Sequence, residues 1–299
     1  MSKKVLILGA SGMLGSMLCD YFAKQAGFEL SATFRDLKLK EKSESFAKIK
    51  CLQFDGEDSL SLQKLNLPHY DWVINAIGII KPYIKDDDSK TVECAIKINS
   101  LLPHALAGAV KNTDTKIIQI ATDCVFSGKE EKYDENAPYD ALDVYGKTKN
   151  LGEVKADNFY NIRCSIIGPE KKGKLSLLEW FLGQKQNAGV KGFKNHFWNG
   201  ITTLHFAHIC KGIIEQNLKL QAMQHIVPKD ILSKAAMLEI FSLYYKRNDI
   251  KITSTDADIA IDRTLSTIYP KLNTQIWQSA NYDTPPSIEQ MIKELSQYK

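Results

Sequence analysis

The sequence predicts an α/β fold, a doubly wound parallel sheet with a smaller part at the C-terminal end. In the first half of the chain, short apolar runs alternate with helical patterns, and these runs are continuous rather than interrupted by polar residues. Continuous apolar runs are typical of strands that are buried on both faces of a sheet. Strands that alternate with helices favour a parallel sheet, in which ligands bind beyond the carboxyl ends of the strands.

The predicted strands are the apolar runs at residues 4–10, 28–34, 49–54, 71–79, 115–122 and 159–167. A helix is predicted directly after the first strand, and another over residues 86–110, where acidic residues at the start suit the helix dipole. After residue 169 the alternation weakens, and helical patterns lie at residues 203–217, 233–246 and 287–298. Ser287 and Gln290 predict a capping box at the start of the last helix.

Composition excludes several functional classes. The chain of 299 residues is 44% hydrophobic and 25% charged, and its net charge of +4 is too small and too scattered for a nucleic-acid binder. Six cysteines are dispersed without a C-x-x-C pair, which suits free thiols in a reducing compartment. The sequence contains no run of about 18 apolar residues, so no membrane-spanning helix is predicted. We therefore expect a cytoplasmic protein.

Three glycines follow the first predicted strand and open the first helix, at Gly9, Gly12 and Gly15. Gly9 allows a tight turn, Gly12 lets the backbone approach a pyrophosphate, and Gly15 lets the helix pack on the strand. Free N–H groups at the start of the helix attract phosphate. The spacing also suits a plain strand–helix turn, but its position after a buried strand predicts a Rossmann-type dinucleotide site.

The ends of the next strands indicate which dinucleotide binds. Arg35 follows the second strand, where an arginine can pair with the 2′-phosphate of NADP, whereas an acidic residue would bind the ribose hydroxyls of NAD. NADP is therefore favoured and NAD stays open, because Arg35 would also suit a solvated loop. Asp55 ends the third strand, either as an acceptor for adenine or as a surface acid. Residues 75–78, with the sequence NAIG, are small enough for a flat ligand to lie against the backbone.

A threonine, a tyrosine and a lysine predict a proton-transfer site. Tyr145 and Lys149 are four residues apart and are neighbours on one face of a helix, while Thr122 ends the fifth strand. An ammonium group a few ångströms from a phenol favours the phenolate by about 3 kcal/mol at an effective dielectric near 20. The tyrosine pKa would then fall by about two units, enough for proton transfer near neutral pH. Thr122 would hydrogen-bond the same substrate oxygen, and Lys149 would also hold a ribose.

These residues carry a resemblance to a known family. The spaced glycines, NAIG, Asn99, the Thr122/Tyr145/Lys149 set and the segment IRCSIIGP resemble the extended short-chain dehydrogenase/reductase superfamily. The segments ATDCVFSG and YDENAPYDALDVYGKTKNLGE resemble more narrowly the dTDP-4-dehydrorhamnose reductase family of nucleotide-sugar 4-keto reductases. The resemblance implies hydride delivery from NAD(P)H to a sugar C4 carbonyl, with Tyr145 supplying the proton, and a role in surface polysaccharide synthesis.

The resemblance also implies a division of the chain and a set of site residues. It implies an NAD(P)-binding domain over residues 1–169 and a smaller substrate-binding part over residues 170–299, with interleaving of segments left open. The implied cofactor-binding residues are Gly9, Ser11, Gly12, Met13, Leu14, Gly15, Arg35, Asp55, Gly56, Ala76, Ile77, Gly78, Asn99, Tyr145 and Lys149. The implied substrate-binding residues are Thr122, Asp123, Ile166, Trp198 and Asn199.

The chain departs from the family pattern at two positions that face sugar or base. Cys124 stands where the family often has an aromatic residue, and Ile166 where it often has tryptophan. The identity of the nucleotide-diphosphate sugar is therefore open, and so is the oligomeric state, a homodimer included. Cys124 is expected to be a small apolar filler rather than a nucleophile.

Two further functions remain open at this point. A nucleotide-sugar epimerase with a retained cofactor would use the same tyrosine, and a noncatalytic subunit similar to the methionine adenosyltransferase beta subunit would only bind the cofactor. Four lysines could meet a diphosphate or belong to solvated surface: Lys81, Lys171, Lys172 and Lys174. His205 and His208 share a helix face, but no third ligand is apparent, so no metal site is expected.

Overall fold

The computed structural model describes residues 2–38, 46, 49–171 and 173–299. Lys172, one of the lysines considered for a diphosphate, lies outside the described residues. No helix in the described ranges combines the length and the apolar character needed to span a bilayer.

A parallel sheet of seven strands forms the centre of the molecule. Its strands are β1 (Lys3–Leu8), β2 (Phe28–Phe34), β3 (Lys50–Gln53), β4 (Trp72–Asn75), β5 (Lys116–Ala121), β6 (Phe159–Arg163) and β11 (Met223–His225). The spatial order is β11–β6–β5–β4–β1–β2–β3, and every paired neighbour is parallel. The predicted doubly wound α/β fold is thus confirmed, with its switch point between β1 and β4.

Alternate residues of β1 show why both faces of the sheet are covered. Val5 and Ile7 point into one apolar core, and Leu6 and Leu8 point into a second core on the other face. The helices that accompany the sheet in the first half are α1 (Met13–Ala23), α2 (Ser59–Gln63), α3 (Ser89–Ala95), α4 (Leu102–Ala109) and α5 (Val144–Leu151). Strands buried on both faces explain the continuous apolar runs of the sequence.

The helix predicted over residues 86–110 begins at Ser89, after the N-cap Asp88, and changes geometry in its middle. A π-helical segment, Ile96–Leu101, separates α3 from α4. Pro103 has no N–H to donate to the carbonyl of Asn99, so the regular hydrogen-bond pattern cannot run through this point. Gly152 lies against that carbonyl, since a Cβ at Gly152 would be 1.9 Å from the Asn99 oxygen. The end of α5 is therefore pressed against the π segment.

The chain after residue 169 builds small sheets and also contributes to the large one. β7 (Ile166–Ile167) pairs with β10 (Ile201–Thr202), and β8 (Gly189–Phe193) pairs with β13 (Lys251–Thr255). A three-stranded sheet has the order β12–β9–β14, formed by Leu232–Ser233, His196–Trp198 and Ile261–Asp262. The helices of this half are α6 (Leu177–Leu182), α7 (Thr203–Gln216), α8 (Lys234–Tyr244), α9 (Pro270–Ser279) and α10 (Ile288–Gln297).

The two halves of the sequence interleave in space. β11 is the edge strand of the large sheet, and α7 packs against α1, although both elements come after residue 169. The apolar pattern did not reveal β11 because a strand of three residues is too short to show a period. The predicted capping box is half formed: Ser287 Oγ accepts from Gln290 N at 3.1 Å, but the Gln290 side chain bonds Glu294 instead.

Candidate active site at the strand ends

The turn after β1 has the geometry that a pyrophosphate requires. Gly9 has φ +85°, a left-handed conformation that favours glycine, and its N–H donates to Thr33 Oγ1 at 3.0 Å. A Cβ at Gly15 would be 2.1 Å from the Gly9 carbonyl oxygen, so only glycine allows α1 to start this close to β1. α1 begins without a side-chain cap and without an acidic residue in its first turn. An uncapped helix start of this kind fits an anionic group.

A cavity of about 530 Å³ lies where this turn meets the loops after β4, β5 and β6. Its lining brings together these predicted residues: Ser11, Gly12, Met13, Leu14, Ala76, Gly78, Thr122, Asp123, Tyr145, Lys149 and Ile166. Residues separated by more than 150 positions thus converge because parallel strands end at one edge of the sheet. The cavity joins the glycine turn to the tyrosine and lysine in one space.

The helix α5 places the two predicted reacting groups. Asp143 caps it, with Oδ1 accepting from Gly146 N at 2.7 Å, and Tyr145 and Lys149 then lie on the face toward β5. Lys149 Nζ donates to the carbonyl oxygen of Ile120 at 2.9 Å. Tyr145 and Thr122 are joined by a side-chain hydrogen bond. The three groups therefore lie in one cavity at the end of β5.

The predicted fall in the Tyr145 pKa is wrong. Burial raises the pKa of Tyr145 above its ordinary value, and the nearby thiol of Cys124 acts in the same direction, against the hydrogen bond with Thr122. Burial also lowers the pKa of Lys149 to about 8, with Glu153 acting against that change. A hydrated ammonium beside the phenol would lower the tyrosine pKa, but both groups are desolvated here and the ammonium donates to a carbonyl.

Asn99 supports the site from behind rather than lining it. Its buried amide accepts from Ile79 N at 2.9 Å and donates to Ile79 O at 3.0 Å and to Thr148 Oγ1 at 3.3 Å. These bonds connect the loop after β4 with α5. Asn99 therefore holds two walls of the cavity together, and the structure does not place it among the lining residues.

Several other predicted residues lie away from the cavity. Gly9, Gly15 and Ile77 form the packing behind the glycine turn. Arg35 is exposed after β2, and its carbonyl oxygen accepts from Gln53 Nε2 at 3.2 Å. Asp55 and Gly56 lie after β3, where Asp55 Oδ1 accepts from Glu57 N at 3.1 Å. Their roles toward an adenosine remain predictions.

The two predicted substrate residues of the C-terminal half, Trp198 and Asn199, make contacts within the protein. Asn199 donates to Leu265 O at 2.7 Å and accepts from Leu265 N at 2.9 Å, so both the nitrogen and the oxygen of its amide have a partner inside the protein. Trp198 is buried, with Lys234 Nζ 5.7 Å from the centre of its ring. Neither side chain is among the residues that line the cavity, and direct substrate contact by either one remains a prediction.

Sequence reasoning gave little weight to one wall of the cavity and missed another. The loop of residues 79–83 lines it, and Lys81 Nζ pairs with Asp143 Oδ2 at 2.7 Å. Ser165, Glu170 and Ser176 line it on the side of β6 and β7. Position was the signal that could have found them, because both segments follow directly after strands that end at the site.

The two histidines considered for metal belong to a separate hydrogen-bonded cluster. His205 Nε2 lies 3.0 Å from Glu294 Oε2 and 2.9 Å from Tyr282 OH, and its Nδ1 lies 2.7 Å from Thr202 Oγ1. Burial lowers the pKa of His208 to about 4. Across the described part of the chain, no group of three or more His, Cys, Asp or Glu side chains is arranged to hold a metal ion.

Comparison with known proteins supplies the family. A family model described as the RmlD substrate binding domain matches residues 3–176. The spore coat polysaccharide biosynthesis protein SpsK of Bacillus subtilis is 33% identical over 153 residues, which make up 50% of this chain and 47% of that protein. A dTDP-4-dehydrorhamnose reductase of Mycolicibacterium smegmatis is 28% identical over 159 residues, 51% of this chain and 41% of that protein. The matches therefore span less than half of the length of these curated relatives.

The fold agrees over the whole chain. A crystal structure of the dTDP-4-dehydrorhamnose reductase from Bacillus anthracis in complex with NADP superposes with a TM-score of 0.71 at 16% identity, covering 99% of both chains. At this identity the superposition speaks for the fold alone. The family model, in contrast, covers more than half of the sequence. The chain therefore belongs to the RmlD-like family of extended short-chain dehydrogenase/reductases, a class of NAD(P)-dependent oxidoreductases.

Proposed function

We propose that this protein uses NADPH to reduce the C4 keto group of a nucleotide-diphosphate sugar. The observation that carries the proposal is that Tyr145, Lys149 and Thr122 line the same cavity as the glycine turn. Bound NADPH would supply the hydride. A single space thus offers a binding site for a dinucleotide and a proton donor beside it, as reduction of a carbonyl requires.

Each reacting side chain has a role that follows from its contacts. Tyr145, whose raised pKa keeps the phenol protonated across the neutral range, donates the proton to the carbonyl oxygen. Thr122 shares a hydrogen bond with Tyr145 and orients the same oxygen. Lys149 lines the same cavity as Tyr145, and its ammonium would stabilise the phenolate that remains after transfer. Its ammonium has three donors, of which the Ile120 carbonyl takes one, so a ribose hydroxyl can accept another.

The glycine turn would hold the pyrophosphate of the dinucleotide. The backbone N–H groups of Met13 and Leu14 open α1, and Gly12 leaves the approach free, since a Cβ there would meet only the Gly9 oxygen at 3.5 Å. Ala76 and Gly78 line the cavity after β4 and would lie beside the nicotinamide ribose. Arg35 after β2, an exposed cation, would select the 2′-phosphate of NADP over the ribose hydroxyls of NAD.

Similarity to SpsK, named for spore coat polysaccharide biosynthesis, and to a dTDP-4-dehydrorhamnose reductase supports a nucleotide-sugar substrate and a role in surface polysaccharide synthesis. Residues 1–169 would form the cofactor-binding domain, to which β11 and α7 of the second half are added in space. Residues 170–299 would supply most of the remaining substrate contacts. Ile166 lines the cavity and Asp123 lies beside Thr122, so these two side chains would face the sugar.

The proposal is tested by NADPH oxidation at 340 nm with 4-keto sugars linked to dTDP, UDP, GDP and CDP. We expect oxidation with one nucleotide series, and a lower KM for NADPH than for NADH. Arg35→Ala should narrow the difference between the two cofactors, and Lys38→Ala, which removes a nearby exposed cation, should leave it unchanged.

Two results would contradict the reductase. Interconversion of C4 epimers without net consumption of NADPH would identify an epimerase. NADPH binding without turnover of any keto sugar, together with co-purification with a catalytic partner, would identify a binding subunit.

A further inference from the structure

Two cationic side chains of the C-terminal half lie beside the wall of the cavity. Lys234 follows β12 and begins α8, and Arg263 follows β14. β12 and β14 flank β9, which ends at Trp198, so the small sheet places the two cations on either side of β9. Lys234 Nζ is 5.7 Å from the centre of the Trp198 ring.

The small sheet is docked on the turn that carries the substrate side of the cavity. Arg263 Nε donates to Phe126 O at 2.8 Å, and Asp262 N donates to Gly128 O at 3.0 Å. Asp123 and Cys124, just before this attachment, line the cavity. The charges of Asp123 and Arg263 both act on Lys234. The two cations therefore stand next to the wall that faces the reacting end of a substrate.

Neither cation forms a salt bridge among the residues that the structure describes, although the charge of Asp123 acts on Lys234. Lys234 is partly buried, and its ammonium lies over the ring of Trp198 without a hydrogen bond to the described residues. Arg263 donates only through Nε, so both of its terminal nitrogens lack a hydrogen bond within the described part of the chain. Arg247 offers a contrast, because its guanidinium bonds Asp249 and the carbonyl oxygens of Leu182 and Gln184. Burial lowers the pKa of Lys234 to about 8, and the charge of Asp123 opposes this change without cancelling it.

We propose that Lys234 and Arg263 form an anion-binding subsite for phosphate or carboxylate oxygens of the nucleotide sugar. The planar guanidinium can bind two such oxygens at once, and the ammonium adds a point charge beside it. The inference rests on the proposed function for the identity of the ligand, but not for the presence of the site. The anion can come from the diphosphate bridge or from a carboxyl group on the sugar.

The test is a set of binding measurements on the NADPH-saturated protein by isothermal titration calorimetry. The probes are dTDP, UDP, GDP and CDP for the diphosphate, and UDP-glucuronate against UDP-glucose for a carboxylate. The variants are Lys234→Gln and Arg263→Gln, with Lys234→Arg as the charge-preserving partner. Lys191→Gln, at an exposed lysine of β8, is the matched control.

We expect the Kd of the bound anion to rise at least about tenfold in both glutamine variants, because each loses a charge-assisted contact. Lys234→Arg should recover most of the affinity, and the Kd of NADPH should stay within about twofold throughout. A loss confined to nucleoside diphosphates identifies the diphosphate as the anion, and a loss of the preference for UDP-glucuronate over UDP-glucose identifies the carboxylate.

The subsite is overturned if both glutamine variants bind every probe as the wild type does while they remain folded and bind NADPH. It is overturned equally if the folded, NADPH-binding wild type binds none of the probes below about 1 mM. These outcomes are distinct from failure of the proposed reductase, which would appear as anion binding without NADPH oxidation. Thermal melting of each variant shows whether a loss of binding reflects a loss of folding.

Discussion

The cavity at the strand ends and the His205–Tyr282–Glu294 cluster both concentrate titratable side chains, but they pair them differently. In the cluster, Tyr282 donates to Glu294 and contacts His205, and Glu294 also accepts from Gln290. In the cavity, within the described residues, Lys149 donates one hydrogen bond, and Tyr145 bonds only with Thr122. A high density of titratable groups therefore does not mark a reactive site. Unused hydrogen-bonding capacity that faces a cavity does.

Disturbing the glycine turn should give the largest effect. In Gly15→Ala, the new Cβ would meet the Gly9 carbonyl oxygen at 2.1 Å, so the turn and α1 must move apart. We expect a loss of about 3 kcal/mol in the free energy of unfolding. The Kd for NADPH, measured by fluorescence titration, should rise by at least about tenfold. Gly108→Ala is the matched control, because no atom lies within 4 Å of its Cβ, and it should not weaken binding.

The pH dependence tests the state of Lys149. Its folded pKa of about 8 is below the ordinary value for lysine, so the charge is present below pH 8 and is lost as the pH rises through that value. The Tyr145 phenol stays protonated over this range because its pKa is raised. We expect kcat/KM for the keto sugar to fall about tenfold per pH unit above pH 8.

A variant separates Lys149 from the second lysine whose pKa is near 8. Lys234→Gln should keep the fall in kcat/KM above pH 8. Lys149→Arg should move this fall above pH 10, because a guanidinium does not lose its proton there. If the fall in kcat/KM above pH 8 disappears in Lys234→Gln, its assignment to Lys149 is wrong.

Substitutions in the His205–Tyr282–Glu294 cluster should lower the stability of the protein and leave the reaction rate unchanged. Hydrogen bonding to His205 holds the pKa of Glu294 at about 2, so its contribution to stability is present above pH 4.5 and is lost as the pH falls toward 2. Glu294→Gln removes charge-assisted hydrogen bonds, and we expect it to lower the free energy of unfolding at pH 7 by about 2 kcal/mol. Urea titration measures this loss. Glu215→Gln, at a surface pair with Lys211, is the control and should change stability by less than about 0.5 kcal/mol.

The cap of α5 should give the smallest effect. Asp143 accepts from Gly146 N and from Lys81 Nζ, both at 2.7 Å, and so connects the helix start to the loop of residues 79–83. Asp143→Ala should cost about 1 kcal/mol in the free energy of unfolding. The KM for the keto sugar should rise while kcat changes little. Asp143→Asn keeps the cap acceptor and should recover the stability but not the contact with Lys81.

The strands of the first half could be predicted from the sequence, because strands buried on both faces leave continuous apolar runs. β2 was predicted with its observed bounds, and Tyr145 and Lys149 share a cavity with the glycine turn because strand order alone brings their elements together. β11 and the strands of the three-stranded sheet, at two or three residues each, are too short to leave a period. Asn199 resembled a ligand-binding residue, but its amide is paired with Leu265, a contact between positions 66 residues apart.

The Tyr145 pKa could not be predicted from spacing. It depends on the burial of the phenol and on the hydrogen-bond partner of Lys149, and both follow from how β5 and α5 pack. The absence of a salt bridge at Lys234 and Arg263 is likewise a property of the assembled small sheet, because the residues next to them in the sequence do not predict it.

The most direct test of the central comparison sets its two tyrosines against each other. Tyr145→Phe and Tyr282→Phe each remove one buried or partly buried hydroxyl, and single-turnover oxidation of NADPH with the keto sugar reports the chemical step. We expect Tyr145→Phe to slow this step by about 10²–10⁴-fold without a lower melting temperature. Tyr282→Phe should keep the wild-type rate and melt at a lower temperature. Equal rates for Tyr145→Phe and the wild type, or a comparable loss of rate in both variants, would contradict the account.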